Sequence, residues 1–259
     1  MLIPYHIGFR REDLGEKPPT TALLCGDPKR ASLIAQSYLQ SSRLLSDNRG
    51  LNSYIGTLNS GKTIISTTSG MGASSLSIVV NELVQVGIRQ IIRIGTCGSI
   101  QDNILPSSIV ISSAALCKQG AANDIAPIEY PAAADPFLTV AMAKAAKKLE
   151  VEYHVGITAS VDTFYEGQER TDSANPYLIR QLHGITQEYR YLNILNYEME
   201  CGTLFKMGNV YGFEAGCVCA VIAQRTVGEN VIIESKESAI HNAIKIAVTA
   251  VSDYEEDVY

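Results

Sequence analysis

The sequence predicts a single-domain α/β fold on three observations. Short apolar runs alternate with helical patterns, glycine-containing loops follow the predicted strands, and no Pro- or Ser-rich linker, repeat or low-complexity segment divides the chain. Thr21-Ala-Leu-Leu-Cys25 is an apolar run of buried-strand length, and Pro28 suits the first turn of a helix reaching about Leu39. Asn52–Leu58 and Lys62–Thr68 flank the turn Asn59-Ser-Gly61 and form a hairpin. Gly70 and Gly72 lead into a helix, Ser74–Val86, closed by Gly87. Further strands are expected at Gln90–Ile94, Ser107–Leu116, Tyr153–Ser160 and Cys217–Ala223. Pro136–Leu149 places Ala141, Ala145 and Leu149 on one helical face, and Ile233–Val251 is a final amphipathic helix before a frayed acidic tail, Asp253–Tyr259. One domain over residues 1–259 is expected.

Composition narrows the function. The 259 residues are 46% hydrophobic and 19% charged, with a net charge of -6. A chain of that balance lacks the basic field that nucleic-acid binding needs, but leaves room for a few arginines converging on a small anion. No apolar run approaches the roughly 18 residues of a membrane span. The opening Met1-Leu2-Ile3-Pro4-Tyr5-His6 lacks the basic-then-apolar order of a secretory signal. The six cysteines show no CxxC or Cys/His metal spacing and read as reduced thiols, four of them (Cys25, Cys97, Cys217 and Cys219) in apolar runs. A cytoplasmic location is expected, with no nucleic-acid or membrane partner.

Three loops after predicted strands combine glycine with arginine or hydroxyl groups: Gly26-Asp-Pro-Lys-Arg30, Ser69-Gly-Met-Gly72 and Arg93-Ile-Gly-Thr-Cys-Gly98. Ligands of open α/β sheets collect beyond the carboxyl ends of the strands, and arginine makes bidentate contacts to phosphate. Each glycine could equally serve a tight turn and each arginine a solvated surface. A dinucleotide site is excluded, because Ser75 replaces the third glycine of G-x-G-x-x-G and no acidic residue ends a strand about 20 residues on.

In the second half, Thr163-Phe-Tyr-Glu-Gly-Gln-Glu-Arg170 groups an aromatic face with amide and guanidinium groups able to read the edge of a base. Asn196-Tyr-Glu-Met-Glu200 sets two carboxylates either side of a methionine, and a carboxylate can accept from both hydroxyls of a ribose. A glycosidase pair competes with that reading, as does a solvated role for one glutamate. Taken singly, Met199 reads as a core filler and His6 as a surface imidazole.

In order along the chain, these segments resemble the nucleoside phosphorylase family. The resemblance is carried by His6-Ile-Gly8, Gly26-Asp-Pro-Lys-Arg30, Glu82-Leu-Val-Gln-Val-Gly-Ile-Arg89, Arg93-Ile-Gly-Thr-Cys-Gly98 and Ala126-Pro-Ile-Glu-Tyr-Pro131. It continues through His154-Val-Gly-Ile-Thr-Ala-Ser-Val-Asp-Thr-Phe-Tyr-Glu-Gly-Gln-Glu-Arg170 and Asn196-Tyr-Glu-Met-Glu200, and covers the chain from residue 6 to about 250. Within the family it points to the members that act on uridine.

The resemblance implies a mixed, partly barrel-like central β-sheet flanked by helices, in a homo-oligomer built from dimers as a hexamer with sites shared across each dimer. The implied reaction is reversible cleavage of uridine by phosphate to uracil and ribose 1-phosphate. Phosphate is then a co-substrate, and neither an organic cofactor nor a metal is required. Carried over, Gly26, Arg30, Arg93 and Thr96 hold phosphate, joined by Arg49 from the neighbouring subunit. Thr96, Gly98, Phe164, Gln168, Arg170 and Arg225 surround the base, and Glu198, Met199 and Glu200 seat the ribose, with His6 reaching across from the neighbour. Arg30, Arg93, Arg170, Glu200 and Arg225 are the implied catalytic set. Purine-preferring relatives carry an aspartate in the late loop, where this chain reads Gln224-Arg-Thr226. Gly50 stands where family members often carry a glutamate that helps bind a monovalent cation between subunits, which argues against a potassium (K+) site. Cys25 and Cys97 stand where proline and threonine are common, and Cys97 is expected as a small replacement rather than a nucleophile. The rivals are a purine nucleoside phosphorylase, a hydrolytic nucleosidase and a non-catalytic nucleoside binder.

Overall fold

The computed structural model describes residues 3–226 and 233–254, with residues 233–235 described by backbone alone. Its nine strands are β1 (Thr21–Cys25), β2 (Gln40–Ser46), β3 (Ser53–Thr57), β4 (Thr63–Thr68), β5 (Gln90–Ser99), β6 (Ile109–Lys118), β7 (Tyr153–Val161), β8 (Asn196–Glu198) and β9 (Glu214–Gln224). Its helices are α1 (Pro28–Tyr38), α2 (Ala73–Gln85), the single turn α3 (Gly120–Asn123), α4 (Pro136–Lys148), α5 (Ile185–Tyr191), α6 (Cys201–Tyr211) and α7 (Ile233–Asp253).

The strands form one mixed sheet in the order β2-β3-β4-β1-β5-β8-β7-β6-β9, and β9 pairs back onto β5. That last pairing closes β5, β8, β7, β6 and β9 into a five-stranded ring, so the expected partly barrel-like sheet is present. β5 makes the closure possible by its length. Its first half lies parallel to β1 (Thr21↔Gln90 to Cys25↔Ile94), its end runs antiparallel to β8 (Gly98↔Tyr197), and β9 follows its other edge from Gln90 to Ser99. The sequence suggested that β5 ends at Ile94, because Gly95 and Gly98 look like a loop. They remain in the strand because β9 supplies ladder partners on one edge along the whole length.

Strand alternation feeds two cores. Ala22, Leu24, Ile91, Cys97, Cys217 and Cys219 face the cluster containing Leu76 and Leu83 of α2 with Leu204 and Phe205 of α6. Leu23, Cys25, Ile92, Ile94, Val218 and Ala220 face the opposite cluster, which holds Ile34 of α1, Leu138 and Met142 of α4, and Ala243 and Ile244 of α7. The sheet is therefore apolar on both faces, which is why its strands read as continuous apolar runs.

Helix starts follow from the sequence where a side chain caps them. Asp27 accepts from the Lys29 amide at 2.9 Å and Asp135 from the Leu138 amide at 2.8 Å, each followed by proline at the first helical position. Such caps contribute about 1 kcal/mol each. The hairpin, α2, α4, β6, β7 and β9 lie within a few residues of their expected bounds, and α7 continues to Asp253. The remainder of the acidic tail lies outside the described residues. Five elements had no expectation: β2, β8, α3, α5 and α6. β2 is largely exposed and shows no apolar pattern, and β8 is only three residues long.

Candidate active site

Loops at the carboxyl ends of the strands enclose one cavity of about 270 Å³. β1 and the start of α1 bring Gly26, Asp27 and Arg30 to it, the turn before α2 brings Met71, and β5 brings Arg93, Thr96, Cys97 and Gly98. The loop after β7 adds Phe164, Gln168 and Arg170, while β8 and its exit add Tyr197, Glu198, Met199 and Glu200. Ile222 and Ala223 of β9 complete the wall.

Gly26 allows the close packing of two of these loops, since a Cβ there would lie 3.3 Å from the Gly70 carbonyl oxygen and 4.0 Å from Arg93 Nη1. Arg93 is central. Its Nε donates to Glu198 Oε2 at 3.1 Å and its Nη2 to Glu200 Oε2. The buried Nη1 has no protein partner among the described residues, and neither has the buried Nε of Arg30, whose Nη1 donates to the Ile94 carbonyl at 2.9 Å. Two cationic groups, Arg93 anchored by two nitrogens and Arg30 by one, each retain an unsatisfied donor among the described residues and suit an oxyanion such as phosphate.

The two glutamates have different surroundings. Glu198 accepts from Arg93 Nε, from Ser160 Oγ at 2.5 Å, from the Glu200 amide at 2.9 Å and from the Cys201 amide at 2.9 Å. Its carboxylate is occupied by the protein, caps the start of α6 and orients Arg93. Glu200 accepts from the Gly72 amide at 2.7 Å and from Arg93. Burial raises the pKa of Glu200, Arg93 opposes the rise, and the neighbouring Glu198 charge adds to it. Burial also works against the charge of Arg93, but Glu200 and Glu198 outweigh it and hold the guanidinium firmly protonated. Met199 between them is fixed through its carbonyl, which accepts from Gln119 Nε2 at 2.5 Å.

On the opposite wall, the Arg170 guanidinium lies 4.0 Å from the Phe164 ring centroid and its Nη2 donates to Gln168 Oε1 at 3.3 Å. Arg225 stands one layer behind the lining. Its Nη2 donates to the Gln168 carbonyl at 2.6 Å, and its guanidinium lies 5.2 Å from the Tyr197 ring. Burial, aided by the Arg225 charge, lowers the Arg170 pKa to about 10, and burial lowers that of Arg225. Both remain cationic at neutral pH.

Eleven of the fourteen residues singled out in the sequence line this cavity: Gly26, Arg30, Arg93, Thr96, Gly98, Phe164, Gln168, Arg170, Glu198, Met199 and Glu200. Arg225 supports it from behind. His6 and Arg49 do not line it, and they lie together elsewhere. His6 Nδ1 is 2.6 Å from Glu82 Oε1, Asn48 Nδ2 donates to the Tyr5 and His6 carbonyls at 2.8 and 3.0 Å, and Arg49 lies 5.9 Å from the Tyr5 ring. Asp27, Met71, Cys97, Tyr197, Ile222 and Ala223 line the cavity from outside that set. The signal for Met71 and Tyr197 was their place inside quoted motifs, between Gly70 and Gly72 and between Asn196 and Glu198.

Residues 20–252 match the family model of the phosphorylase superfamily, and the chain belongs to that superfamily. It is 38% identical over 246 residues to a uridine phosphorylase of Haemophilus influenzae, covering 95% of this chain and 96% of that one. A uridine phosphorylase of Thermococcus kodakarensis is 35% identical over 253 residues, covering 98% and 89%. A DeoD-type purine nucleoside phosphorylase of Bacillus velezensis is 29% identical over 235 residues, covering 90% and 94%.

Proposed function

We infer that this protein is a pentosyltransferase that cleaves uridine with phosphate, reversibly, to uracil and ribose 1-phosphate. The observation that carries the reading is the placement of Arg93: one nitrogen without a partner among the described residues, another on Glu200, in one cavity with Gln168 and Arg170. Relatives called uridine phosphorylases, matched over nearly the whole chain, support it.

In this reading Arg30 and Arg93, with Gly26 and Thr96, hold phosphate beneath the anomeric carbon. Glu200 accepts from ribose hydroxyls, and Met199 packs on the sugar. Glu198 acts by fixing Arg93 and the start of α6. Phosphate attacks C1′ as the bond to the base nitrogen breaks, through a ribose with oxocarbenium character. The electron pair of that bond leaves with uracil, where Arg170 and Gln168, backed by Arg225, stabilise the negative charge. Phosphate is then both nucleophile and counter-charge, and its positioning supplies much of the rate. No group in this scheme is a redox or metal centre, and we propose that the reaction requires no organic cofactor. Gly50 presents no side-chain oxygen, and we further propose that activity is independent of potassium.

The purine alternative fits less well. Gln224 occupies the late strand end and donates to the carbonyls of Gln101 and Asp102 at 3.3 and 3.0 Å, so no carboxylic acid is offered there. We also propose a dimer-based hexamer in the cytoplasm, in which the partner subunit's His6 and the partner subunit's Arg49 complete each cavity. One assay tests the activity: base release from uridine, thymidine, inosine and adenosine, with and without phosphate. Phosphate-dependent release of uracil is expected. Full-rate release without phosphate overturns it in favour of a nucleosidase, and cleavage of inosine but not uridine in favour of a purine enzyme.

A further inference from the structure

Four of the six cysteines, Cys97, Cys201, Cys217 and Cys219, are buried in one core cluster between the sheet and α6. Cys217 and Cys219 are two apart on β9, so they share a face, and their Sγ atoms are 3.7 Å apart. Cys201 opens α6, and its Sγ, the Cys217 Sγ and a carboxylate oxygen of Glu198 all lie within 4.8 Å of one another. Cys97 belongs to the same buried cluster and also lines the cavity, which joins the cluster to the site.

A zinc-type ion with sulfur ligands at about 2.3 Å and tetrahedral angles needs its sulfurs about 3.8 Å apart. Cys217 and Cys219 already stand at that spacing. Residues two apart on an extended strand have Cα atoms about 6.6–6.8 Å apart, at the far limit for a disulfide. The pair therefore suits a shared ion better than a covalent bridge. We propose that Cys201, Cys217 and Cys219, with Glu198, form a binding site for a thiophilic metal ion of the zinc class, whose occupation inhibits the enzyme.

The coupling follows from shared groups. Glu198 now accepts from Arg93 Nε, Ser160 Oγ and two backbone amides, so an ion that takes one of its oxygens draws it from that set. The Arg93 guanidinium lies against the cluster, since a Cβ built on Gly95 would be 2.9 Å from both Arg93 Nη2 and Cys219 Sγ. A bound cation repels that guanidinium and loosens its hold on Glu198 and Glu200. Binding releases thiol protons, and it weakens as pH falls.

The inhibitory half of this proposal rests on the uridine-cleaving reading, whereas the binding half does not. Metal-free protein is titrated with Cd2+ while thiolate-to-metal charge-transfer absorbance and uracil release are followed together. Saturation at one equivalent per chain is expected, with uracil release falling in step and returning when a chelator is added. Cys217→Ala weakens Cd2+ binding by about tenfold or more. Cys25→Ala, at a thiol in the opposite core cluster, leaves it unchanged. Cys219→Ser, close in size, serves as a second variant if Cys217→Ala fails to fold by circular dichroism. No charge-transfer band, or one that survives in both cluster variants, overturns the site. A saturated band with full-rate cleavage overturns the inhibition. A normal band in a protein that never cleaves uridine overturns the proposed activity and leaves the site standing.

Discussion

Arg93 and Glu200 form an ion pair in the cavity wall that leaves one guanidinium nitrogen, Nη1, without a protein partner among the described residues. Glu198 occupies the Nε side of the same arginine at 3.1 Å. A single buried cation therefore links the carboxylate assigned to ribose with the donor assigned to phosphate. In the proposed reaction, placement of either substrate depends on the same side chain, which β5 carries between β1 and β9.

Arg93→Ala leaves two buried carboxylates without their cation, and such a break costs about 3–5 kcal/mol. The variant is expected to melt well below the parent and to lose uridine cleavage. Arg93→Lys separates the two effects. Its ammonium preserves charge but lacks the planar fork, so stability recovers more than activity. Thermal melts and the phosphate dependence of uracil release check this. Parent-like kinetics for Arg93→Lys would remove the fork from the argument.

Glu200→Gln tests the opposite end of the pair. Losing an ionic acceptor for ribose hydroxyls lowers kcat/KM for uridine by roughly 10- to 100-fold. Stability changes with a defined pH dependence. Burial raises the Glu200 pKa above its unfolded value, so the folded state holds the extra proton more tightly. The stability tied to that proton is fully present below the unfolded pKa and is lost as pH rises through the folded one. Glutamine has no such loss. The melting temperature of Glu200→Gln relative to the parent should therefore rise with pH across that window and level off above it. A difference independent of pH would show that Glu200 is not titrating there.

Most of the lining was legible in the sequence because it sits in compact motifs at strand ends. Gly26 and Arg30 flank the junction of β1 and α1, Arg93 to Gly98 lie along one strand, and Phe164 to Arg170 lie in one segment after β7. What escaped was set by long-range pairing. β8 holds three residues in place between β5 and β7, and nothing local to Asn196-Tyr-Glu198 predicts those ladders. The different fates of Glu198 and Glu200 were equally hidden, because Ser160, which claims Glu198, is 38 residues away. The closed ring followed from the family resemblance and from no single segment.

Gly95 offers a test of how precisely Arg93 must be held. A methyl group at this position would lie 2.9 Å from Arg93 Nη2 and 2.9 Å from Cys219 Sγ, so one of these groups must shift. Gly95→Ala is expected to fold, because its backbone is ordinary extended strand, yet to displace the guanidinium. A shift near 1 Å in a positioning group costs on the order of 100-fold in rate. Steady-state kinetics on a protein with parent-like circular dichroism provides the measurement, and an unchanged kcat/KM would show that the guanidinium tolerates the shift.

His6 and Arg49 supply the last prediction, because they lie beside each other around Tyr5 and Asn48 while their assigned substrates lie in a cavity they do not line. If a second copy presents this patch to the cavity, two inactive variants should repair one another. Let one variant carry His6→Ala with Arg49→Ala, and the other Arg170→Ala. In a two-fold dimer mixed at equal amounts, half of the dimers contain one chain of each kind. Each mixed dimer has one site with an intact Arg170 and an intact donated patch, and one site lacking both. After the chains are dissociated and reassembled together, uracil release should therefore reach about a quarter of the parent rate. Either variant reassembled alone should stay near its own background. A mixture no more active than the average of its two components would place His6 and Arg49 outside any shared site.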